Sequence, residues 1–284
     1  MTPSTHPQIA LRIDQRNADT RVAYLTISNE PKLNTLGSEL MQEFLAILQE
    51  LARDESLRAV VLTGAGTKAF IGGVDIHEMA QLDATSGRAL ITLLHHCCHA
   101  LRELPVPVIA RINGYALGAG LEIAAACDLR IAADTARFGM PEVKLGIPSV
   151  IEAALLPSLI GWGRTRHLLL LGETITAGEA FQWGLIEMVV PLSKFYSSAA
   201  LDEAVEVWVS SVLKAGPRAI RLQKKLIRRW EDLPLSDAVR AGVDAFAAAW
   251  ETDEPRRMML EFLVDRARRA DDAHKSARGA APPE

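Results

Sequence analysis

The chain has 284 residues, 49% of them apolar, and a formal charge of -4, which fits a soluble protein of one large domain or a core with an appendage and disfavours a general nucleic-acid binder. No charge-free apolar run approaches the ~20 residues of a membrane helix, and the opening MTPSTHPQIALRID lacks a secretory leader's apolar stretch, so a cytoplasmic location is expected. Cys97, Cys98 and Cys127 cannot make an even disulfide framework and read as free buried thiols of a reducing compartment.

In chain order, IALRID and RVAYLTI alternate like strands and flank the turn-forming QRNADT, which predicts a hairpin. LGSELMQEFLAILQELARD places Leu40, Met41, Phe44, Leu45 and Leu48 on one helical face, and RAVVLTGAG follows as a buried strand running into glycines. The pattern then repeats: a helix from about Gly87 to Leu104, the strand PVPVIARIN, a glycine turn, a short helix from about Gly120 and the strand LRIAA. This alternation predicts an α/β core whose glycine turns lie at strand ends, where ligands meet backbone. Beyond residue 160 the signal is mainly helical: RTRHLLLLG, AGEAFQWGL, the short strand IEMVVP, and long helices from Leu201 and Pro217. The expected division is a core over 1–200, a helical region over 201–268 and a disordered tail over 269–284, where apolar residues at core spacing are missing.

Several strings carry possible chemistry. LLHHCCHAL (93–101) holds zinc-type ligands, but contiguous helical residues point in different directions and no second cluster completes a site, so packing is the better reading and no metal is expected. RLQKKLIRRW (221–230) is a basic run that reads as a solvated helical face. In GAGTKAFIGGVDIHEMA (64–80) glycines separate a strand from a helix start where Asp75 and Glu78 have capping-box spacing. Free N–H groups there suit a phosphate or an oxyanion, or the segment is a plain tight turn.

NGYALGAGLEIAAACD (113–128) repeats that device and adds Glu122, the only charge between Arg111 and Asp128. A dipole-stabilised surface carboxylate is one reading. The apolar residues around every face of GLEIAAAC instead require a glutamate that is paired or faces a cleft. Glu142 in RFGMPEVKLGIP is a second isolated carboxylate after a strand. Two carboxylates with two glycine turns could supply both proton transfer and oxyanion stabilisation.

These segments resemble the enoyl-CoA hydratase/isomerase (crotonase) superfamily. KAFIGGVDIHEM and NGYALGAGLEIAAACDLRIA look like its two oxyanion segments, the second with the first glutamate, ADTARFGMPEVKLGIP carries the second glutamate, and TITAGEAFQWGLIEMVVP looks like its following motif. The likeness covers about residues 20–265. It implies an α/β fold, a crotonase-like spiral of ββα units, with a C-terminal helical region that builds homotrimers, often paired into hexamers. It also implies an acyl-CoA substrate, with coenzyme A entering as part of that thioester rather than as a cofactor.

Carried over by position, the backbone N–H groups of Val74 and Ala119 would hold the thioester oxygen and Glu122 and Glu142 would be catalytic. Lys32, Leu33, Ala69, Ile71, Gly73, Asp75, Ile76 and Gly118 would bind substrate. The implied reaction is syn addition of water to a trans-2-enoyl-CoA, a hydro-lyase reaction giving 3-hydroxyacyl-CoA. Glu122 is expected to act chiefly on the water and Glu142 to exchange the α proton. The same scaffold supports isomerases, decarboxylases and thioester hydrolases, and a non-catalytic acyl-CoA or RNA binder using Lys224, Lys225, Arg228 and Arg229 is the reading from another class.

Three departures from the family pattern stand out. IPSVIEAALLP replaces a longer glycine-rich segment, His77 stands where lysine is common, and Glu152 adds a third carboxylate, expected at a solvated helix position.

Overall fold

A computed structural model describes residues 7–191 and 199–279, side chains through residue 269. The chain divides into two compact units, Met1–Val212 and Leu213–Glu284.

The first unit opens with the expected hairpin: β1 (Gln8–Asn17) pairs antiparallel with β2 (Thr20–Ser28). α1 (Ser38–Leu51) follows, and its Leu40, Met41, Phe44 and Leu48 are buried, as the helical spacing demands. Next come β3 (Leu57–Gly64), β4 (Ala69–Ile71), the four-residue α2 (Ile76–Met79) and α3 (Ala84–Glu103). α3 begins earlier than its apolar pattern suggests, because Asp83 and Ser86 form a reciprocal capping box at its N-terminus. Then follow β5 (Val108–Ile112), β6 (Tyr115–Leu117), α4 (Ala119–Ala126), β7 (Leu129–Ala133) and β8 (Arg137–Gly139). Two 3-10 helices, Glu142–Leu145 and Ile151–Leu155, lead into α5 (Leu156–Leu171). β9 (Thr174–Thr176), α6 (Ala177–Trp183), β10 (Met188–Val190) and α7 (Ala199–Lys214) complete the unit's elements.

Among the described residues the strands form two sheets, one in the order β1-β2-β3-β5-β7-β10 and one in the order β4-β6-β8-β9. The consecutive pairs β3–β4, β5–β6 and β7–β8 each place one strand in the first sheet and the next in the second. Helices separate these pairs, so the chain winds as a spiral of ββα turns. β3, β5 and β7 pair in parallel and are almost wholly buried, which is why they read as continuous apolar runs. The second sheet puts the ends of β4 and β6 side by side, with β6 next to β8. The segments that follow these strands therefore converge.

The second unit contains α8 (Pro217–Asp232), α9 (Leu235–Ala249) and α10 (Glu254–Gly279). Trp230 Nε1 donates to Ala238 O at 2.9 Å, and Glu254 accepts from the Arg218 and Ala219 N–H groups at the start of α8. The basic run on α8 is not one solvated face, since Lys224 is buried and Arg228 pairs with Glu231. Where the sequence suggests a disordered tail, α10 continues to Gly279, and residues 280–284 lie outside the described residues. No helix among the described residues is long and apolar enough to cross a membrane.

Candidate active site

A cavity of about 460 Å³ opens where the loops after β2, β4, β6 and β8 meet. Most of the carried-over positions line it: Lys32, Leu33, Gly73, Val74, Asp75, Ile76, Gly118, Ala119, Glu122 and Glu142. Ile91 and Leu94 of α3, with Leu145, Ile147 and Val150, supply apolar wall. Ala69 and Ile71 are not among the residues lining it: both are buried in β4, and the Ala69 carbonyl accepts from Asn34 at 2.8 Å and Asn113 at 3.1 Å. β4 is the edge strand of the second sheet, paired with β6 alone, and both side chains are taken up in the core.

Those two asparagines escaped notice as sequence features, yet they tie the site's loops together. Asn34 Nδ2 also donates to Ala65 O at 2.9 Å, and Asn113 Nδ2 to Gly66 O at 2.8 Å, satisfying carbonyls around the β3–β4 turn. Leu33 and Asn34 both adopt left-handed backbone, φ 56°, and Gly72 N–H donates to Leu33 O at 2.8 Å. The Lys32 loop is thereby latched against the first glycine segment, and Lys32 Nζ reaches Asp75 Oδ2 at 2.7 Å. That lysine, followed by the His77 amide, holds the Asp75 carboxyl below its ordinary range. Asp75 caps α2, but Glu78 does not complete a box: its carboxylate accepts from Ser38 N–H at the start of α1 at 2.9 Å.

Among the described residues, the two amides expected to face an oxyanion have no partner. Leu36 N–H donates to Gly73 O and Asp75 N–H to Leu36 O, so the intervening Val74 N–H points to the opposite side, and it has no intramolecular partner. Ala119 opens α4, where a helix leaves its first N–H groups unpaired, and its amide is likewise without a partner. Glycine precedes each donor: Gly73 has φ 116° and Gly118 has φ 51° with ψ -119°. A side chain at Gly118 would be strained by that conformation, and its Cβ would push aside the Glu142 carboxylate.

Glu122 sits in the first turn of a helix whose residues are all buried, and is itself 5% exposed. Burial pushes its carboxyl up to about 8, reinforced by the charges of Glu142 and Glu152 and opposed by the Ala153 N–H, which donates to Oε1 at 3.2 Å. Glu142 is half-buried on the first 3-10 helix, and Ser149 Oγ donates to its Oε2 at 2.8 Å. Glu152 is buried rather than solvated, 7% exposed, and lies 2.9 Å from His95 Nδ1. Its placement between α3 and α4 follows from the 3-10 helix packing inward, which a helical-surface reading of SVIEAALLP does not anticipate. Cys97, Cys98 and Cys127 are free and buried, and no group of three His, Cys, Asp or Glu residues suited to a metal ion occurs among the described residues.

A two-sheet spiral of ββα turns, with paired carboxylates facing unengaged amides across one cavity, defines the crotonase class of α/β proteins. A model of the enoyl-CoA hydratase/isomerase family matches residues 17–269, and the chain belongs to that family. It is 36% identical over 247 residues to the short-chain-enoyl-CoA hydratase of Clostridium acetobutylicum, covering 87% of this chain and 92% of that one. It is 32% identical to the crotonyl-CoA hydratase of Syntrophomonas wolfei, covering 87% and 94%. The crystal structure of an enoyl-CoA hydratase from Bacillus anthracis superposes with a TM-score of 0.83 at 32% identity, over 90% of this chain and 96% of that one.

Proposed function

We propose that the protein is an enoyl-CoA hydratase that adds water across the 2,3 double bond of a trans-2-enoyl-CoA to give 3-hydroxyacyl-CoA. The observation that carries this reading is that Glu122 and Glu142 line the same cavity as the unengaged amides of Val74 and Ala119. Those amides donate hydrogen bonds to the thioester oxygen, which makes the β-carbon electrophilic and stabilises the enolate formed as water adds; loss of one such donor typically costs about 3 kcal/mol. Glu122 takes the proton from water while Glu142 delivers one to the α-carbon. Lys32 and Leu33 lie along the adenine and pantetheine path of the substrate, and the apolar wall from Ile91 to Val150 receives the acyl chain. Proton transfer and oxyanion binding supply all of the chemistry, so the reaction requires neither a metal nor a redox cofactor.

Hydration puts one proton on carbon as another leaves water, so the glutamate pair starts and finishes with a single proton between them. Burial favours that proton on Glu122, the arrangement from which dehydration starts; hydration by these roles starts from the arrangement with the proton on Glu142 and ends with it on Glu122. Activity is therefore expected to decline above about pH 8, as the last proton leaves. The decline appears in hydration and dehydration alike, because their interconversion releases no net proton.

Self-association as a homotrimer or a dimer of trimers fits the second unit. Leu235, Val239, Val243 and Phe246 form an exposed apolar stripe along α9, and Met259, Leu260, Leu263 and Val264 are exposed on α10. A cytoplasmic location is consistent with the three free thiols.

The direct test is incubation with crotonyl-CoA and longer trans-2-enoyl-CoAs while following loss of the conjugated enoyl absorbance. Hydration of at least one chain length is expected, undiminished by chelators. Inertness toward all of them would remove the assignment.

A further inference from the structure

The segment that departs most from the family pattern contains three unusual features in three successive residues. Ile151 has φ 39°, a left-handed backbone that a β-branched side chain adopts only when its surroundings enforce it. Glu152 is 7% exposed, with Oε1 on His95 Nδ1 and Oε2 buried with no hydrogen-bond partner among the described residues. Ala153 shares its N–H between Val150 O at 2.9 Å and Glu122 Oε1 at 3.2 Å. A buried carboxylate in the middle of a strained turn is costly unless something anchors it, and His95 is the anchor the structure provides.

We propose that Glu152, clamped by His95, is a positioning residue for the hydration reaction: it holds the Ile151–Ala153 turn so that the Ala153 amide orients Glu122, and it sets a third carboxyl beside the Glu122–Glu142 pair. The clamp links α3 to the second 3-10 helix, and that helix passes the constraint to the first turn of α4 by a single backbone hydrogen bond. Few other charges face this cluster. Glu142 approaches Glu122 from the first 3-10 helix, and among the described residues the other titratable neighbours are the thiols of Cys97 and Cys98 on α3 and Cys127 after α4, with His96 and His99 beside His95. Burial pushes Cys97 up to about 12 and Cys98 well above its ordinary value, so these thiols stay neutral. The groups of the cluster able to carry positive charge are the α3 histidines: half-exposed His95 and, with ring centroids 6.0 and 5.9 Å from it, His96 and His99.

The inference rests on the hydratase reading and is tested so that the two can fail separately. Glu152→Gln retains size and an acceptor for His95 but removes the charge. Its kcat near neutral pH is expected within about threefold of the parent, with the alkaline decline displaced downward by at least about half a pH unit. Glu152→Ala and His95→Ala release the turn instead, and each should lower kcat by about tenfold with KM changed less than about twofold. His95 lies largely at the surface, so His95→Ala gives a folded protein even where Glu152→Ala does not.

A purely structural role predicts the opposite pattern: lower unfolding temperatures, but kcat, KM and pH profile of the folded variants equal to the parent's, and that result overturns the proposal. Independently of turnover, infrared absorption of the Glu122 carboxyl, identified by its disappearance in Glu122→Gln, should titrate at lower pH in Glu152→Gln. An unshifted titration also overturns the proposal, whereas a shifted titration in a protein that hydrates no enoyl-CoA sinks only the reaction.

Discussion

The two glutamates of the site are mounted in opposite ways. Glu122 projects into the cavity from α4, a helix with every residue buried in the core. Glu142 stands on a 3-10 helix with no buried residue, followed by the exposed stretch Val143–Pro148, and Ser149 is its hydrogen-bond partner. Burial therefore sets the proton affinity of the first, while local backbone and one hydroxyl set the direction of the second. A reaction that needs one group to retain a proton and another to move with the substrate is served by this inequality.

The comparison breaks most sharply if either acid is removed. Glu122→Gln and Glu142→Gln should each reduce kcat by at least about a hundredfold with ligand affinity nearly intact, because each deletes a proton-transfer group and leaves the amides in place. Steady-state kinetics with crotonyl-CoA, together with calorimetric binding of a saturated acyl-CoA, checks both halves. Near-parental activity in either variant removes that residue from the chemistry.

Stability should separate the two sites next. The folded-state value for Glu122 is raised from 4.5 to about 8, so between those pH values the native protein keeps a proton that the unfolded chain has released. Its contribution accordingly falls as pH rises through that window and levels off above about 8, at a cost on the order of 4 kcal/mol. Glu122→Gln never ionises, so it should unfold at a higher temperature than the parent at pH 9 and show little difference at pH 4. Thermal unfolding at the two pH values measures this, and no gain at pH 9 would mean that burial does not govern Glu122.

The smallest effect is expected at Ser149. Ser149→Ala removes one hydrogen bond from a carboxylate that remains water-accessible, so kcat should drop only about threefold to tenfold, with stability unchanged within about 0.5 kcal/mol. A loss as large as that of Glu142→Gln would show that the hydroxyl itself takes part in water placement.

Much of this organisation is legible in the chain. The buried face of α1 follows from spacing, the runs in β3, β5 and β7 follow from composition, and an isolated Glu122 in apolar sequence already demands a partner or a cleft. The glycines of IGGV and ALGAG likewise announce turns with free amides. Other features are not legible. β4, β6, β8 and β9 have three residues each, too few for a period, and so the second sheet is invisible to pattern reading. Ala69 and Ile71 sit inside a matching motif but do not line the cavity, and Asn34 and Asn113 look like ordinary loop asparagines until the carbonyls they satisfy are in view.

The sequence alone thus determined the local states: which stretches coil, which extend, where glycine permits left-handed backbone, and which carboxylates lack a charged neighbour along the chain. Only the tertiary structure decided that Glu122 and Glu142 share a cavity with two unpaired amides, and that Glu152 is buried on His95 instead of solvated. The physical reason is that local propensities act over a few residues, whereas proximity, desolvation and the field at a carboxyl are set by segments that meet only when the spiral closes.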